Sequence, residues 1–356
     1  MQLSQLRICD FRNLVDVVLE PSAGVNLISG QNASGKTSLL EAVYYLSHLR
    51  SFRTPYLSDL INHEAHRLQL VAKAKDQNNK VIPIGIERSK EVLNVRANQK
   101  AIQRVADITA LFPVLAIHPD SYRLITGSPT ERRAYLDWGV FHVEHGFFEA
   151  WQRYKKALAQ RNAALRAGLK QAACQLWDKE LDQAANHIHA RRSHYMQQIQ
   201  PFLQALIAQF FPGQRVDLEY KRGWMNDRTL QEVLQQTYDR DQRRGQTQAG
   251  PHRADIVIQV DGKSAQTGIS RGQQKTLVAL LKLGQVQHFT QSGARHCILL
   301  YDDLAAELDS QHRSQILSVL REMPVQLFLT AIEQEQIDLG QWDEQRMFHV
   351  EQGRLV

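Results

Sequence analysis

The chain has 356 residues, with 43 Lys and Arg against 37 Asp and Glu for a formal charge of +6, and an apolar content of 43%. That is enough for two domains with substantial cores in a soluble globular protein, and the absence of any apolar run of about 18 residues excludes membrane-spanning helices. Three well-separated cysteines, Cys9, Cys174 and Cys297, have no zinc spacing and read as reduced thiols, and the first residues do not read as a signal peptide, so a cytoplasmic protein without membrane attachment is expected.

The first diagnostic elements are a buried strand predicted over residues 24–29 and the loop that follows it. Gly30-Gln31-Asn32-Ala33-Ser34-Gly35-Lys36-Thr37 fills every fixed position of G-x-x-x-x-G-K-[ST]. A chance match in a chain of this length has odds of about one in a hundred. Residues 38–46 then read as a helix, beginning at Ser38. Strand, glycine loop and helix is the order that phosphate binding requires. Backbone N–H groups turn toward the phosphates, and the helix N-terminus adds partial positive charge. Residues Gly30 to Ser38 are therefore the candidate nucleotide site, with Lys36 on the β- and γ-phosphates and the Thr37 hydroxyl on Mg²⁺. ATP and Mg²⁺ are the cofactors implied.

Short apolar runs at 68–72 and 81–86 predict an antiparallel sheet beside this core. From about residue 130 to 247 the periodicity turns helical. Trp151, Tyr154, Leu158 and Leu165 share one helical face; Trp177, Leu181, Ala184 and Ile188 share a second. Tyr195, Ile199, Phe202 and Leu206 form a third, in which Pro201 is expected to kink or restart the helix. Residues 121–250 carry 19 Lys and Arg against 13 Asp and Glu, so this segment holds the whole excess of +6. Between Trp151 and Ala173 lie Arg153, Lys155, Lys156, Arg161, Arg166 and Lys170 with no acid. Arg153, Lys156, Arg161 and Arg166 are the candidate contacts to DNA phosphates. The alternatives are a solvated helix face, or DNA carried by Lys73, Lys75 and Lys80 near the sheet. The segment is too short and interrupted for sustained heptads. The expected division is an α/β head over 1–120 and 248–356, split by a compact helical arm over 121–247.

After Gly250 strands and helices alternate again. Ser270-Arg271-Gly272-Gln273-Gln274-Lys275 precedes a helical run at 276–283, and alone it reads as a polar N-cap. Cys297-Ile298-Leu299-Leu300-Tyr301-Asp302-Asp303 is an apolar run ending in two carboxylates. It predicts a buried parallel strand whose C-terminal end faces the ligand. Asp302 is expected to hold Mg²⁺ through water and Asp303 to polarise the attacking water, which makes them the catalytic candidates. Glu307-Leu308-Asp309 follows directly. The series of P-loop, Ser270 motif, acidic strand and Glu307-Leu308-Asp309 resembles that of ABC-type ATPases. The resemblance makes Ser270, Gly272 and Gln273 a signature motif that binds the γ-phosphate held by a second protomer, and the tripeptide a loop at the dimer seam.

Leu6-Arg7-Ile8-Cys9-Asp10-Phe11-Arg12-Asn13 is similar to the opening strand of SMC-like heads. Generic P-loop membership does not explain two further stretches, Gly127-Ser128-Pro129-Thr130-Glu131-Arg132-Arg133-Ala134-Tyr135-Leu136-Asp137-Trp138 and Gly250-Pro251-His252-Arg253-Ala254-Asp255. With them, the chain resembles the RecF family of bacterial recombination and gap-repair ATPases from end to end. The resemblance implies an α/β, ABC-type (SMC-like) P-loop ATPase head with a mainly helical lobe inserted. It also implies an ATP-dependent homodimer that binds duplex DNA and single-strand/duplex junctions. By the same resemblance the partners are RecR and RecO, in loading RecA, and the roles are recombinational repair, replication restart and the SOS response.

Some positions depart from the wider pattern. Ala33 stands where many relatives carry a second glycine, a change of little size. Asp303 stands where transporters carry glutamate, and its shorter side chain implies slow turnover; the resemblance adds that hydrolysis is DNA-stimulated and serves as a switch. No switch histidine follows the apolar run 326–331, and residues 113–117 hold no Q-loop glutamine, so the γ-phosphate sensor is unassigned. An ABC transporter ATPase is the alternative; Ser270 lies 32 residues ahead of Asp302, which exceeds its compact spacing. A metabolic P-loop kinase would leave the Ser270 motif and Glu307-Leu308-Asp309 unexplained.

Overall fold

The computed structural model describes residues 1–293 and 296–356. The chain divides into two compact units, one of Met1–Ser121 with Phe289–Val356 and one of Tyr122–His288.

The first unit is built on two six-stranded sheets. Val25–Ser29, Cys297–Tyr301 and Val325–Ala331 are buried along their whole length. Such strands are uniformly apolar because a parallel sheet is covered on both faces. They pair in the order Gln345–Glu351, Val25–Ser29, Val325–Ala331, Cys297–Tyr301 and Val114–Ile117, all parallel, with Arg354–Leu355 antiparallel at one edge. The strand that leads into the glycine loop and the strand that ends in Asp302 thus flank Val325–Ala331. The second sheet is antiparallel, with Leu14–Leu19, Gln2–Phe11, Arg67–Lys75, Val81–Ser89, Leu93–Ala97 and Lys100–Ala101 in that order. Arg67–Lys75 alternates buried and exposed residues, as a sheet with one wet face does. Helix Lys36–His48 buries Leu39, Leu40, Val43 and Leu46 in the core that both sheets share. Gln326 ties the sheets together: its amide accepts from Leu3 N at 2.7 Å and donates to Leu3 O at 2.8 Å.

The second unit holds helices Pro129–Val143, Phe147–Arg166 and Gln171–Phe210, and a sheet of Lys263–Ser264, Asp255–Val260 and Val216–Lys221. The 40 residues of Gln171–Phe210 make a rod of about 60 Å. It runs unbroken through Pro201, where a kink or restart was expected. Pro201 is exposed while Ile199, Leu203 and Leu206 are buried around it, so packing of the opposite face offsets the lost backbone bond.

The second boundary falls at 288/289, where periodicity places it at 247/248. Two sets of interactions account for this. Asp255–Val260 pairs with Val216–Lys221 of the helical segment. In helix Arg271–Gln291, Leu281 O accepts from Tyr135 Oη at 3.1 Å, and Gln285 Nε2 donates to Tyr135 O at 2.8 Å and Tyr195 Oη at 3.1 Å. The two family-specific stretches interlock within this unit. Arg132 grips Asp255 with two bonds of 2.6 and 3.1 Å, and Arg133 donates to Ala254 O at 2.9 Å.

One basic residue of the arm is not on its surface. Arg161 is fully buried, donating to Asp178 Oδ1 at 2.6 Å, Asp241 Oδ2 at 2.9 Å, Thr247 Oγ1 at 2.8 Å and Leu234 O at 3.2 Å. Burial pushes the Asp178 carboxyl up, and the guanidinium opposes that shift. A buried charge persists only when paired and hydrogen-bonded in this way. Arg161 is therefore removed from the candidate DNA contacts. Arg161→Met leaves Asp178 and Asp241 buried without a counter-ion and should lower unfolding free energy by about 3–5 kcal/mol. Arg166→Met, on the exposed side of the same helix, should cost less than about 1 kcal/mol. Urea unfolding of the two variants checks this, and equal losses would contradict the buried network.

Candidate nucleotide site

The first unit carries a cleft of about 420 Å³ lined by the glycine loop, Arg12, Asn13, Arg53, Asp302, Asp303 and Thr330. The loop's backbone explains its composition. Gly30 has φ 148°, and a Cβ there would lie 2.3 Å from Val350 O; Gly35 has φ 121° and caps helix Lys36–His48. Both conformations favour glycine. Ala33 adopts φ 64°, so its difference from glycine is one of conformation as well as size, at a cost of about 1 kcal/mol.

The turn between strands Gln2–Phe11 and Leu14–Leu19 braces this loop. Asn13 Nδ2 donates to Ser34 O at 3.2 Å, and Asn13 Oδ1 accepts from Ser38 Oγ at 2.9 Å. Ser34 Oγ is buried with no protein partner. Lys36 folds back so that Nζ donates to Gly30 O at 2.6 Å and Gln31 O at 2.9 Å. Burial lowers the Lys36 pKa, against the pull of Asp303 and Asp302. The ammonium thus sits at the mouth of the loop on weak neutral acceptors.

Thr37 and Asp302, predicted as partners from motifs 265 residues apart, meet: Thr37 Oγ1 lies 3.1 Å from Asp302 Oδ1 and 3.0 Å from Oδ2. Asp302 is buried, and burial pushes its pKa up while hydrogen bonds from Thr330 and Thr37 pull it down. Asp303, next to it, has φ 58° and ψ 42° and lines the cleft. The Thr37 hydroxyl and the Asp302 carboxylate, side by side in this cleft, are the hard oxygen donors that suit Mg²⁺. The residues present therefore fit a magnesium nucleotide, for which Thr37 and Asp302 would be the holders of the metal.

Three contributors to this site escaped the motif search. Thr330, at the end of Val325–Ala331, bonds both Asp302 and the Asp303 backbone. Arg53 lies in a loop with no motif. Glu41, buried on helix Lys36–His48, anchors Arg12 through Nη2 at 2.7 Å, with Arg53 Nη1 at 3.8 Å from its other oxygen. One signal was available: Glu41 is a charged residue on the apolar face of a predicted helix.

Ser270, Gly272 and Gln273 belong to the other unit and do not line this cleft. Ser270 caps helix Arg271–Gln291 reciprocally, with Gln273 N donating to Ser270 Oγ at 3.3 Å and Ser270 N to Gln273 Oε1 at 2.9 Å. Ser270 and Gly272 are exposed. Of the remaining arm residues, Arg153 is paired with Glu180 at 2.8 and 3.1 Å, Lys156 is exposed, and Arg166 is exposed with Nη1 3.4 Å from Gly245 O. Lys73, Lys75 and Lys80 are exposed at the antiparallel sheet.

Lys36→Ala removes the loop's only cation, since residues 30–38 hold no other. The expected loss in ATP affinity is about 100-fold, near 3 kcal/mol, for two charge-assisted bonds, with thermal stability little changed. Nucleotide titration checks this, and parent-like affinity would contradict the P-loop assignment.

The family model for the RecF/RecN/SMC N terminal domain matches residues 2–355. The chain is 38% identical to the DNA replication and repair protein RecF of Vibrio atlanticus (strain LGP32), covering all of this chain and 99% of that one. It is 40% identical to the RecF of Cellvibrio japonicus (strain Ueda107), over all of this chain and 99% of the relative. Among solved structures it is similar to the recombination mediator protein RecF-ATPrS in the RecFOR pathway. That match has a TM-score of 0.87 and 25% identity, and covers 99% of this chain and 97% of that one. The loop, the acidic strand and the two interlocked stretches thus occur in a chain whose whole length matches one group of proteins, and it belongs to the RecF family.

Proposed function

We propose that this protein is an ATP-dependent DNA-binding protein of recombinational repair and replication restart, acting in the cytoplasm as an ATP-gated homodimer. The observation that carries the reading is the junction of Lys36, Thr37 and Asp302 at the ends of two strands that flank a third. Its full-length relatives are named for DNA replication and repair. That naming favours repair over the transporter reading. No helix among the described residues is long and apolar enough to cross a membrane.

Lys36 neutralises charge on the β- and γ-phosphates, and the loop's N–H groups orient them. Thr37 and Asp302 would hold Mg²⁺, which when bound would screen phosphate charge. Asp303 accepts a hydrogen bond from the water and aligns it; its short side chain suits a slow switch. Ser270 and Gly272, exposed at a helix N-terminus, supply a hydroxyl and an N–H to the γ-phosphate on a second copy. Gln273 caps the same helix. The likeness to a recombination mediator protein of the RecFOR pathway supports RecO and RecR as partners in loading RecA. Gapped or junction DNA is the expected ligand.

Two measurements test this reading. Ser270→Arg should bind ATP at parent affinity yet remain a single chain in sedimentation; an ATP-dependent dimer would remove Ser270 from the seam. For DNA, Arg153, Lys156 and Arg166 replaced together should reduce the log–log salt slope of binding by about 0.9 for each phosphate that is no longer neutralised. A flat response there, with a reduced slope after replacing Lys73, Lys75 and Lys80, would move the DNA from the arm to the sheet.

A further inference from the structure

We propose that Thr330 is a positioning residue for hydrolysis at this site, its one hydroxyl fixing Asp302 and Asp303 relative to each other. The proposal rests on the nucleotide reading above. Thr330 pairs with Ile28 of the loop strand, while the preceding Leu329 pairs with Tyr301 of the acidic strand. It therefore stands at the end of the strand that nucleotide-binding elements flank on both sides. The side chain is 0% exposed, yet the residue borders the cleft.

A threonine hydroxyl has one proton and two lone pairs. The backbone N–H of Asp303 can only donate, so Thr330 Oγ1 accepts it, at 2.7 Å. Its own proton then goes to Asp302 Oδ1, at 2.8 Å. Both roles of the hydroxyl are used, and each is directed at a different carboxylate residue.

Two consequences follow. Asp302 receives two hydroxyls, and Thr37 is the one placed to hold the metal; Thr330 is the one whose task is the carboxylate itself. Asp303 is in the left-handed region at φ 58°, which a non-glycine residue keeps only where its surroundings over-determine it. The Thr330 bond fixes the N–H side of that residue. Ala306 N and Glu307 N, bonding Asp303 O at 3.0 and 3.1 Å, fix the carbonyl side. The backbone from which the Asp303 side chain lines the cleft is therefore held on both sides, with Thr330 supplying the side-chain hold on its N–H. Valine has the same shape without the hydroxyl, and serine keeps the hydroxyl without the methyl.

The experiment compares Thr330→Val and Thr330→Ser with the parent, reading ATP affinity by titration and hydrolysis by single turnover. Thr330→Val should keep ATP affinity within about fivefold and lose turnover by about 10- to 100-fold, the scale of a misplaced reacting group. Thr330→Ser should stay within about fivefold of the parent in both. The proposal is overturned by parent-like turnover in Thr330→Val, by an equal loss of affinity and turnover, by a serine variant as impaired as the valine one, or by a parent that does not hydrolyse ATP. Should Thr330→Val fail to fold, Thr330→Ala takes its place with the same outcomes. Lys36→Ala, run alongside, separates the two layers. If it binds ATP like the parent, the nucleotide reading falls; if it is inert while Thr330→Val is fully active, only the role of Thr330 falls.

Discussion

A carboxylate at the end of a buried parallel strand has lost most of its water, and at Asp302 two threonine hydroxyls replace it. One comes from the first turn of the glycine-loop helix and the other from the end of the strand between loop and acid. Neither can reach unless Val25–Ser29, Val325–Ala331 and Cys297–Tyr301 end close together, which their parallel register enforces by setting Tyr301 opposite Leu329 and Ser29 opposite Ala331. That register depends on three fully buried strands, and these depend on the antiparallel sheet and helix Lys36–His48 for cover. The need to solvate one buried charge thus constrains much of the first unit. It also keeps the carboxylate oriented toward the Thr37 hydroxyl at the start of the glycine-loop helix.

The same physics governs the second unit with the sign reversed. Arg161 is a buried cation satisfied by two carboxylates, a hydroxyl and a carbonyl. Such a pair is weak evidence for added stability but costly to break. A run of basic residues along a helix is therefore not the same as a basic surface. One guanidinium here is internal structure, and another, on Arg153, is engaged by Glu180. Any phosphate binding by the arm falls to fewer residues than the charge count implies.

The glycine loop was legible because its pattern is local: eight consecutive residues specify its backbone, its lysine and its threonine hydroxyl together. The acidic strand was legible for the same reason, as an apolar run with its carboxylates at the end. Thr330 was not, because its role depends on which strand lies between two others, and nothing in residues 325–331 alone states that. Arg161 could have been read better. It lies seven residues after Tyr154 and four before Leu165, on the face that periodicity already assigned to the core. The boundary at 288/289 was hidden because the partner of Asp255–Val260 is a strand within an otherwise helical stretch.

The most direct test is a titration of the parent chain with ATP, once with Mg²⁺ in excess and once with all divalent cation chelated. Thr37 and Asp302 meeting at 3.0 Å predict saturation at one nucleotide per chain, weakened at least about tenfold by chelation. No saturable binding, or an affinity that does not respond to Mg²⁺, would contradict a site built around that pair.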